Sequence, residues 1–104
     1  LNAQFNLGSL YLDGQGTQGS VLEGINWFTQ AAKNGHANSA YTLAKMHQEG
    51  DFVDSDLVLA HAWAAQSEIN EHPEASLLKK EIAQDLSEAE IRQARRIFAA
   101  WQIE

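Results

Sequence analysis

Apolar residues at the start of the chain recur at the spacing of an amphipathic helix. Ala3, Leu7, Leu10 and Tyr11 stand at i, i+4, i+7 and i+8, and Asn, Gln and Ser fill the positions between them. This pattern is one face of a helix and not the alternation of a strand. It predicts a helix near residues 2–13.

A second helix is indicated after a glycine-rich stretch. Ser20 and Glu23 have the spacing of a capping box, in which the serine accepts a hydrogen bond from a first-turn amide and the glutamate reaches back. A broad apolar face follows and ends at Gly35, which predicts a helix over 21–34. The face consists of Val21, Leu22, Ile25, Trp27, Phe28, Ala31 and Ala32.

The stretch between these helices, "GQGTQG", spells the G-x-G-x-x-G pattern of dinucleotide-binding loops from Gly14 to Gly19. In a dinucleotide-binding fold, a strand enters this loop and the helix that follows directs its N-terminus at the pyrophosphate. Here a helix precedes the glycines. The sequence therefore predicts a turn between two helices and no nucleotide cofactor.

A shift of 36 residues superposes the chain on itself without a gap. Phe52 and Ser55 stand in the second copy where the first has Gly16 and Gly19, so these two glycines are dispensable to the unit. A two-helix unit of this length predicts an α-solenoid, in which each unit packs against its neighbours. The identical pairs are Asn2–Asn38, Leu7–Leu43, Gly14–Gly50, Trp27–Trp63, Gln30–Gln66, Asn34–Asn70 and His36–His72.

Two further helices follow the second copy. Pro73 suits the first turn of a helix, and Ser87 with Glu90 forms another capping box. We therefore predict an all-α fold, an α/α superhelix with six helices in three antiparallel pairs. The single domain, 1–104, divides into repeat one at 1–36, repeat two at 37–72 and C-terminal capping helices at 73–104. The later helices are expected near 37–49, 56–70, 74–85 and 88–103.

The glycine, aromatic and alanine positions together resemble a known family. "AQFNLGSLYLDGQG" followed by "GINWFTQAAKNG" is similar to the Sel-1-like repeat, a tetratricopeptide-like family. The second copy departs from the pattern at Ala44, His47 and Ser67-Glu68, as a terminal unit does, and the C-terminal tail resembles the ends of bacterial arrays. The matching positions are Ala3, Leu7, Gly8, Tyr11, Gly14, Gly16, Trp27, Phe28, Ala31, Ala32 and Gly35.

The resemblance implies a protein–protein scaffold without an active site, whose concave groove binds a partner protein or an extended peptide. The groove would be lined by the exposed side of each first helix. In repeat one this lining would be Asn2, Phe5, Asn6, Ser9, Leu12 and Asp13. In repeat two it would be Asn38, Tyr41, Thr42, Lys45, Gln48 and Glu49. Because the chain begins with Leu1 and not with Met, we expect it to be a fragment of a longer array.

Charge bears on the partner. The first 78 residues carry two lysines and nine carboxylates, which accounts for the whole net charge of −7. This distribution argues against nucleic acid and favours a basic peptide. Asp13 and Glu49 are equivalent under the shift and could read its charge, with Phe5 and Tyr41 eight residues before them. The competing interpretation is that Lys45 pairs with Glu49 at i, i+4.

Other chemistry finds little support in the sequence. The four histidines are spaced 11, 14 and 11 residues apart, and none form the i, i+4 pair that presents two imidazoles to one metal. His36 and His72 are interpreted as residues that help to end helices. Asp51, Asp54 and Asp56 lack the glycine and glutamate of a calcium loop, so Asp56 or Ser55 is predicted to be a helix N-cap. No metal or cofactor is expected.

Two alternatives remain for function. Some cysteine-rich relatives are linked to β-lactam binding or hydrolysis, but this chain has no cysteine for their disulfides, so we do not expect an enzyme. The second alternative is homo-oligomerisation through the N-terminal edge, where no preceding helix covers Leu1, Phe5 and Leu12. No apolar run reaches the roughly 18 residues of a membrane span, so no membrane insertion is expected. A cytoplasmic and a periplasmic location both remain open.

Overall fold

The computed structural model of this protein describes residues 18–103 and is all-helical over that range, without a strand. This confirms the predicted fold class. The helix predicted near 2–13 lies outside the described residues. The helices are α1 (Gln18–Lys33), α2 (Ala37–Glu49), α3 (Leu57–Ile69), α4 (Ala75–Ala83) and α5 (Glu88–Gln102).

The predicted capping box at the start of α1 is wrong. The helix already includes Gln18 and Gly19, so Ser20 has a place within the helix. An N-cap residue must lie outside the helix with non-helical backbone angles.

The end of α1 is a Schellman turn built on Gly35. This glycine has φ +100°, and its amide donates to Ala32 O at 3.2 Å while the His36 amide donates to Ala31 O at 2.9 Å. These two bonds satisfy carbonyls that the helix end would leave unpaired. Because a left-handed φ suits only glycine without strain, Gly35 determines where the chain turns.

The same turn recurs 36 residues later with a different residue at its centre. Glu71 has φ +70°, and its amide donates to Glu68 O at 3.0 Å while the His72 amide donates to Ser67 O at 3.0 Å. The hydrogen bonds therefore reproduce those of the first turn, but a residue with a Cβ takes the left-handed conformation. The repeat preserves the shape of the turn and not its preferred residue.

His36 and His72 help to end the preceding helices through their backbone amides, as the sequence indicated, and their side chains also serve the start of the next helix. His36 is the N-cap of α2, and its Nδ1 accepts from the Ser39 amide at 3.1 Å. His72 Nδ1 accepts from the Glu74 amide at 3.1 Å, just before α4. Each imidazole follows the left-handed residue of a Schellman turn, which places it at the start of the next helix.

Two predicted caps are confirmed. Asp56 is the N-cap of α3, and its Oδ1 accepts from the Leu59 amide at 3.1 Å. At the start of α5, Ser87 Oγ accepts from the Glu90 amide at 3.1 Å and Glu90 Oε1 accepts from the Ser87 amide at 2.9 Å. Both caps depend only on residues close in sequence, which is why the pattern predicted them.

Helix α3 is the centre of the packing, because α2, α4 and α5 all lie against it. Its Trp63 is 5% exposed, and the ring of Trp101 lies 4.1 Å away by centroid distance, tilted by 30°. Leu78 and Ile82 of α4 bury in the same cluster. The two C-terminal helices therefore cap the structure by packing on α3 rather than mainly on each other. Trp27, by contrast, is only half-buried.

Polar bonds also tie the end of α3 to the segment around the turn between α1 and α2. Asn70 Nδ2 donates to Ala32 O at 2.9 Å, and Ser67 Oγ donates to Ala37 O at 3.2 Å. The first bond reaches the last turn of α1 and so links repeat two to repeat one, and the second reaches the first residue of α2. Ser67 is fully buried, so its hydroxyl satisfies a polar group that burial would otherwise make costly.

Candidate partner-binding surface

Half of the predicted groove lies on α2. The residues from repeat two occupy positions that recur on one side of the helix, and we call this set the α2 row. Asn38 and Glu49 are exposed, and the residues between them are half-buried. The members of the row are Asn38, Tyr41, Thr42, Lys45, Gln48 and Glu49. The predicted lining of repeat one lies outside the described residues: Asn2, Phe5, Asn6, Ser9, Leu12 and Asp13.

Tyr41 is held in place by the start of the next unit. Its ring stacks on His72 with centroids 4.1 Å apart and an angle of 2° between the planes. The Tyr41 hydroxyl lies 3.5 Å from Glu74 Oε2. A stacked ring has few orientations to lose on binding, so Tyr41 can act as a pre-organised apolar contact. The nearby carboxylate gives this end of the row an acidic character.

The opposite end of the row carries an ion pair. Lys45 Nζ lies 3.2 Å from Glu49 Oε1, and the two side chains are 39% and 50% exposed. This is the competing i, i+4 pair that the sequence had suggested. Exposed pairs of this type contribute only about 0.3–0.5 kcal/mol. An incoming cation can therefore replace Lys45 at little cost, but Glu49 does not stand free as a charge reader.

A second set of exposed residues, which the sequence analysis did not name, lies on α4 and in the turn after it. Adding 36 to each position of the α2 row leads to α4 and the turn after it, and all but one of the residues there are exposed. We call the exposed set the α4 row. Leu77 is 73% exposed, whereas Leu78, at the position of Thr42, is buried in the core. The α4 row consists of Glu74, Leu77, Glu81, Gln84 and Asp85.

The 36-residue shift could have found this row. Gln48 corresponds to Gln84, and Glu49 corresponds to Asp85. Glu81 takes the position of Lys45, so the α4 row has no lysine at the place where Lys45 pairs with Glu49. Within residues 18–103, none of the α4-row carboxylates forms an ion pair. The signal is weak because few residues are identical under the shift beyond His36 and His72.

A surface depression of about 550 Å³ adjoins the N-terminal end of the α2 row. Its walls are the equivalent turns 35–38 and 70–73. Asn70 Nδ2 lies between them, donating to Ala32 O and also lying 3.4 Å from His36 O. Asn70 thus links the two walls of the depression.

Comparison with known families agrees with this architecture. The family model for the Sel1 repeat matches residues 1–36 and again residues 37–67. The chain belongs to the Sel1 repeat family. No curated protein is similar enough to the chain to count as a match. Sel1 repeats are in general protein-interaction modules and are generally non-catalytic, which fits an exposed row of side chains on successive first helices.

The histidines of this Sel1 chain show structural roles and no metal-binding arrangement within the described residues. Burial is the main cause that lowers the pKa of each of three imidazoles, which favours their neutral forms. Across the described residues, no three histidine or acidic side chains come together as metal ligands. None of the helices in that part of the chain is long and apolar enough to cross a membrane. The three imidazoles are His36, His47 and His61.

Proposed function

We propose that this Sel1 chain binds an extended, net-basic segment of a partner protein along the α2 and α4 rows. The observation that carries the proposal is a repeated pair. Tyr41 is followed eight residues later by Glu49, and Leu77 is followed eight residues later by Asp85. Each row thus presents an apolar side chain and a carboxylate in the same order. In the sequence, Phe5 and Asp13 form the corresponding pair of repeat one.

The helical rise sets the spacing that a ligand must match. Within α2, the eight residues from Tyr41 to Glu49 span about 12 Å at 1.5 Å per residue, whereas Asp85 lies just after the end of α4. An extended peptide advances about 3.3–3.6 Å per residue, so this distance corresponds to roughly three or four residues. A segment with an apolar residue followed by Lys or Arg three or four positions along would contact both members of a row.

Charge favours the α4 row as the stronger reader of a basic ligand. The α2 row has Lys45 beside its terminal carboxylate, whereas the α4 row carries Glu74, Glu81 and Asp85. Long-range attraction by the acidic repeat region raises the association rate of a basic segment. Because these charges are exposed, the binding should weaken as salt is added.

A peptide array tests the spacing. The probe is a set of capped twelve-residue peptides with one leucine and one arginine at separations of two to six residues in a polar background. We expect binding to be strongest at separations of three and four. Equal binding at every separation would contradict the proposal that the rows read an extended segment.

Charge reversal tests the residues. Changing Glu81→Lys and Asp85→Lys together should weaken the best peptide by about tenfold or more at low salt and flatten its salt dependence. The matched control changes Glu23→Lys and Asp54→Lys, two exposed residues outside the rows, with the same change in net charge. Circular dichroism confirms that both variants remain folded. An equal loss in the control would show that net charge alone, and not the row, attracts the peptide.

A further inference from the structure

A separate cavity of about 320 Å³ lies where α3, α4 and α5 meet. His61 of α3, Lys79 of α4 and Arg95 of α5 each contribute to its lining, so all three helices build it. None of its lining residues belongs to the α2 or α4 rows. The site is therefore independent of the proposed peptide-binding surface.

His61 is the unusual feature of this cavity. The residue is 6% exposed, and its Nδ1 is buried with no hydrogen-bond partner. A buried polar atom without a partner costs about 1–3 kcal/mol. Burial lowers the pKa of His61, the positive charges of Lys79 and Arg95 lower it further, and Glu68 opposes them. The ring is accordingly neutral at pH 7 and able to donate one N–H.

The charges around the cavity leave one cation without a partner. Lys79 Nζ lies 2.6 Å from Glu68 Oε1 and is engaged by that carboxylate. Arg95 forms no ion pair with any residue in the described part of the chain. Two cations and one carboxylate therefore surround the cavity, and the excess positive charge resides on a guanidinium, which can grip a carboxylate with two parallel hydrogen bonds.

The remaining wall is apolar. Phe98 is half-buried, Ala65 and Ala94 are small, and Ile69 is 57% exposed although it lines the cavity. Pockets that bind small molecules combine such an apolar lining with a few polar groups, and this one lies at the lower end of their usual volume range. Its size suits a ligand of a few carbons or a single side chain.

We propose that this cavity binds a carboxylate carried on a short apolar stem. The Arg95 guanidinium pairs with the carboxylate, and Phe98 with Ile69 packs against the stem. Because His61 Nδ1 is inaccessible, the His61 ring donates to the ligand through Nε2–H. Either a free short-chain acid or a glutamate side chain of a peptide carries this chemistry. The bound anion competes with Glu68 for the positive charge of the site.

Two probes distinguish the sources. One is hexanoate, and the other is a capped alanine pentapeptide with one central glutamate. Binding is followed by the NMR signals of the His61 ring and the Arg95 side chain, with hexylamine as the probe of opposite charge. We expect a saturable shift of both signals with hexanoate, with the peptide or with both, and none with hexylamine. A shift with only one of the two acids identifies the source, and a shift with both shows that the cavity accepts the carboxylate from either.

Paired variants test the assigned residues. Arg95→Gln should weaken binding by about tenfold or more. The control, Arg96→Gln, removes the same charge from an exposed residue that does not line the cavity, and it should change the Kd by less than about twofold. Glu68→Gln removes the competing carboxylate and should tighten binding, and Glu23→Gln, at an exposed residue outside the cavity and both rows, is its control. Absence of a saturable shift with either acid up to about 10 mM would overturn the proposal, since it would leave a Kd well above 1 mM. Equal losses in Arg95→Gln and Arg96→Gln would overturn it too.

Discussion

Glu71→Gly should stabilise the protein, because Glu71 occupies a left-handed position that glycine fills in the equivalent turn. Its φ is +70°, against +100° for Gly35. In this conformation, a residue with a Cβ lowers the free energy of unfolding by about 1–2 kcal/mol. Glycine makes the unfolded chain more flexible, and this entropy offsets about 0.4–1 kcal/mol of the gain in the free energy of unfolding. The difference between these ranges is a net stabilisation of roughly 0–1.6 kcal/mol, centred at about 0.8 kcal/mol.

Little else should change at this site. The Glu71 side chain is exposed, and it makes no ion pair within the described residues. The two hydrogen bonds of the turn involve backbone atoms alone, so the variant retains them. For a domain of this size, the expected gain corresponds to a rise in Tm of about 3–6 °C. Urea and thermal unfolding followed by circular dichroism measure it.

Two control variants separate backbone strain from charge. Glu71→Ala removes the carboxylate but keeps a Cβ, so its stability should stay within about 0.5 kcal/mol of the wild type. Gly35→Ala adds a Cβ that would meet no atom within 4 Å, so its loss, about 1 kcal/mol, comes from the backbone alone. If Glu71→Ala stabilised the protein as much as Glu71→Gly, relief of charge repulsion would explain the gain and the reasoning from φ would be wrong.

Three further predictions concern pH, the core and a helix cap. Burial lowers the pKa of three histidines below 6.5 in the folded protein, so the unfolded chain binds more protons below that pH. The free energy of unfolding should therefore be highest above about pH 6.5 and should fall as the pH is lowered. Urea titrations at several pH values measure this dependence. Leu78→Ala, in the core, should cost about 2–5 kcal/mol, whereas Leu77→Ala on the surface should change stability by less than about 0.5 kcal/mol. Asp56→Ala should cost about 0.5–2 kcal/mol through loss of the α3 cap, and Asp54→Ala, a neighbouring acid with no capping role, should cost much less in the same chemical unfolding. The three histidines are His36, His47 and His61.

Local signals in the sequence were sufficient for the helices and most of their ends. Asp56 and Ser87 cap the helices that follow them, because a cap needs only its own side chain and an amide three residues away. The 36-residue self-match likewise indicated equivalent turns, and the structure shows the same hydrogen bonds after α1 and α3. Ser20 shows the limit of this reasoning, since a capping pattern is also compatible with a position inside a longer helix.

Contacts between residues distant in sequence were decided only by the tertiary structure. The spacing of Tyr41 and His72 in the sequence does not predict that their rings stack, because that contact depends on how one unit packs on the next. The cavity beside His61 likewise exists because α5 lies against α3, which brings Arg95 close to a residue 34 positions earlier. A helical period specifies which face of each helix is apolar, but not which neighbour covers it, because several helix packings bury similar apolar area. Side-chain packing across the interfaces selects among them.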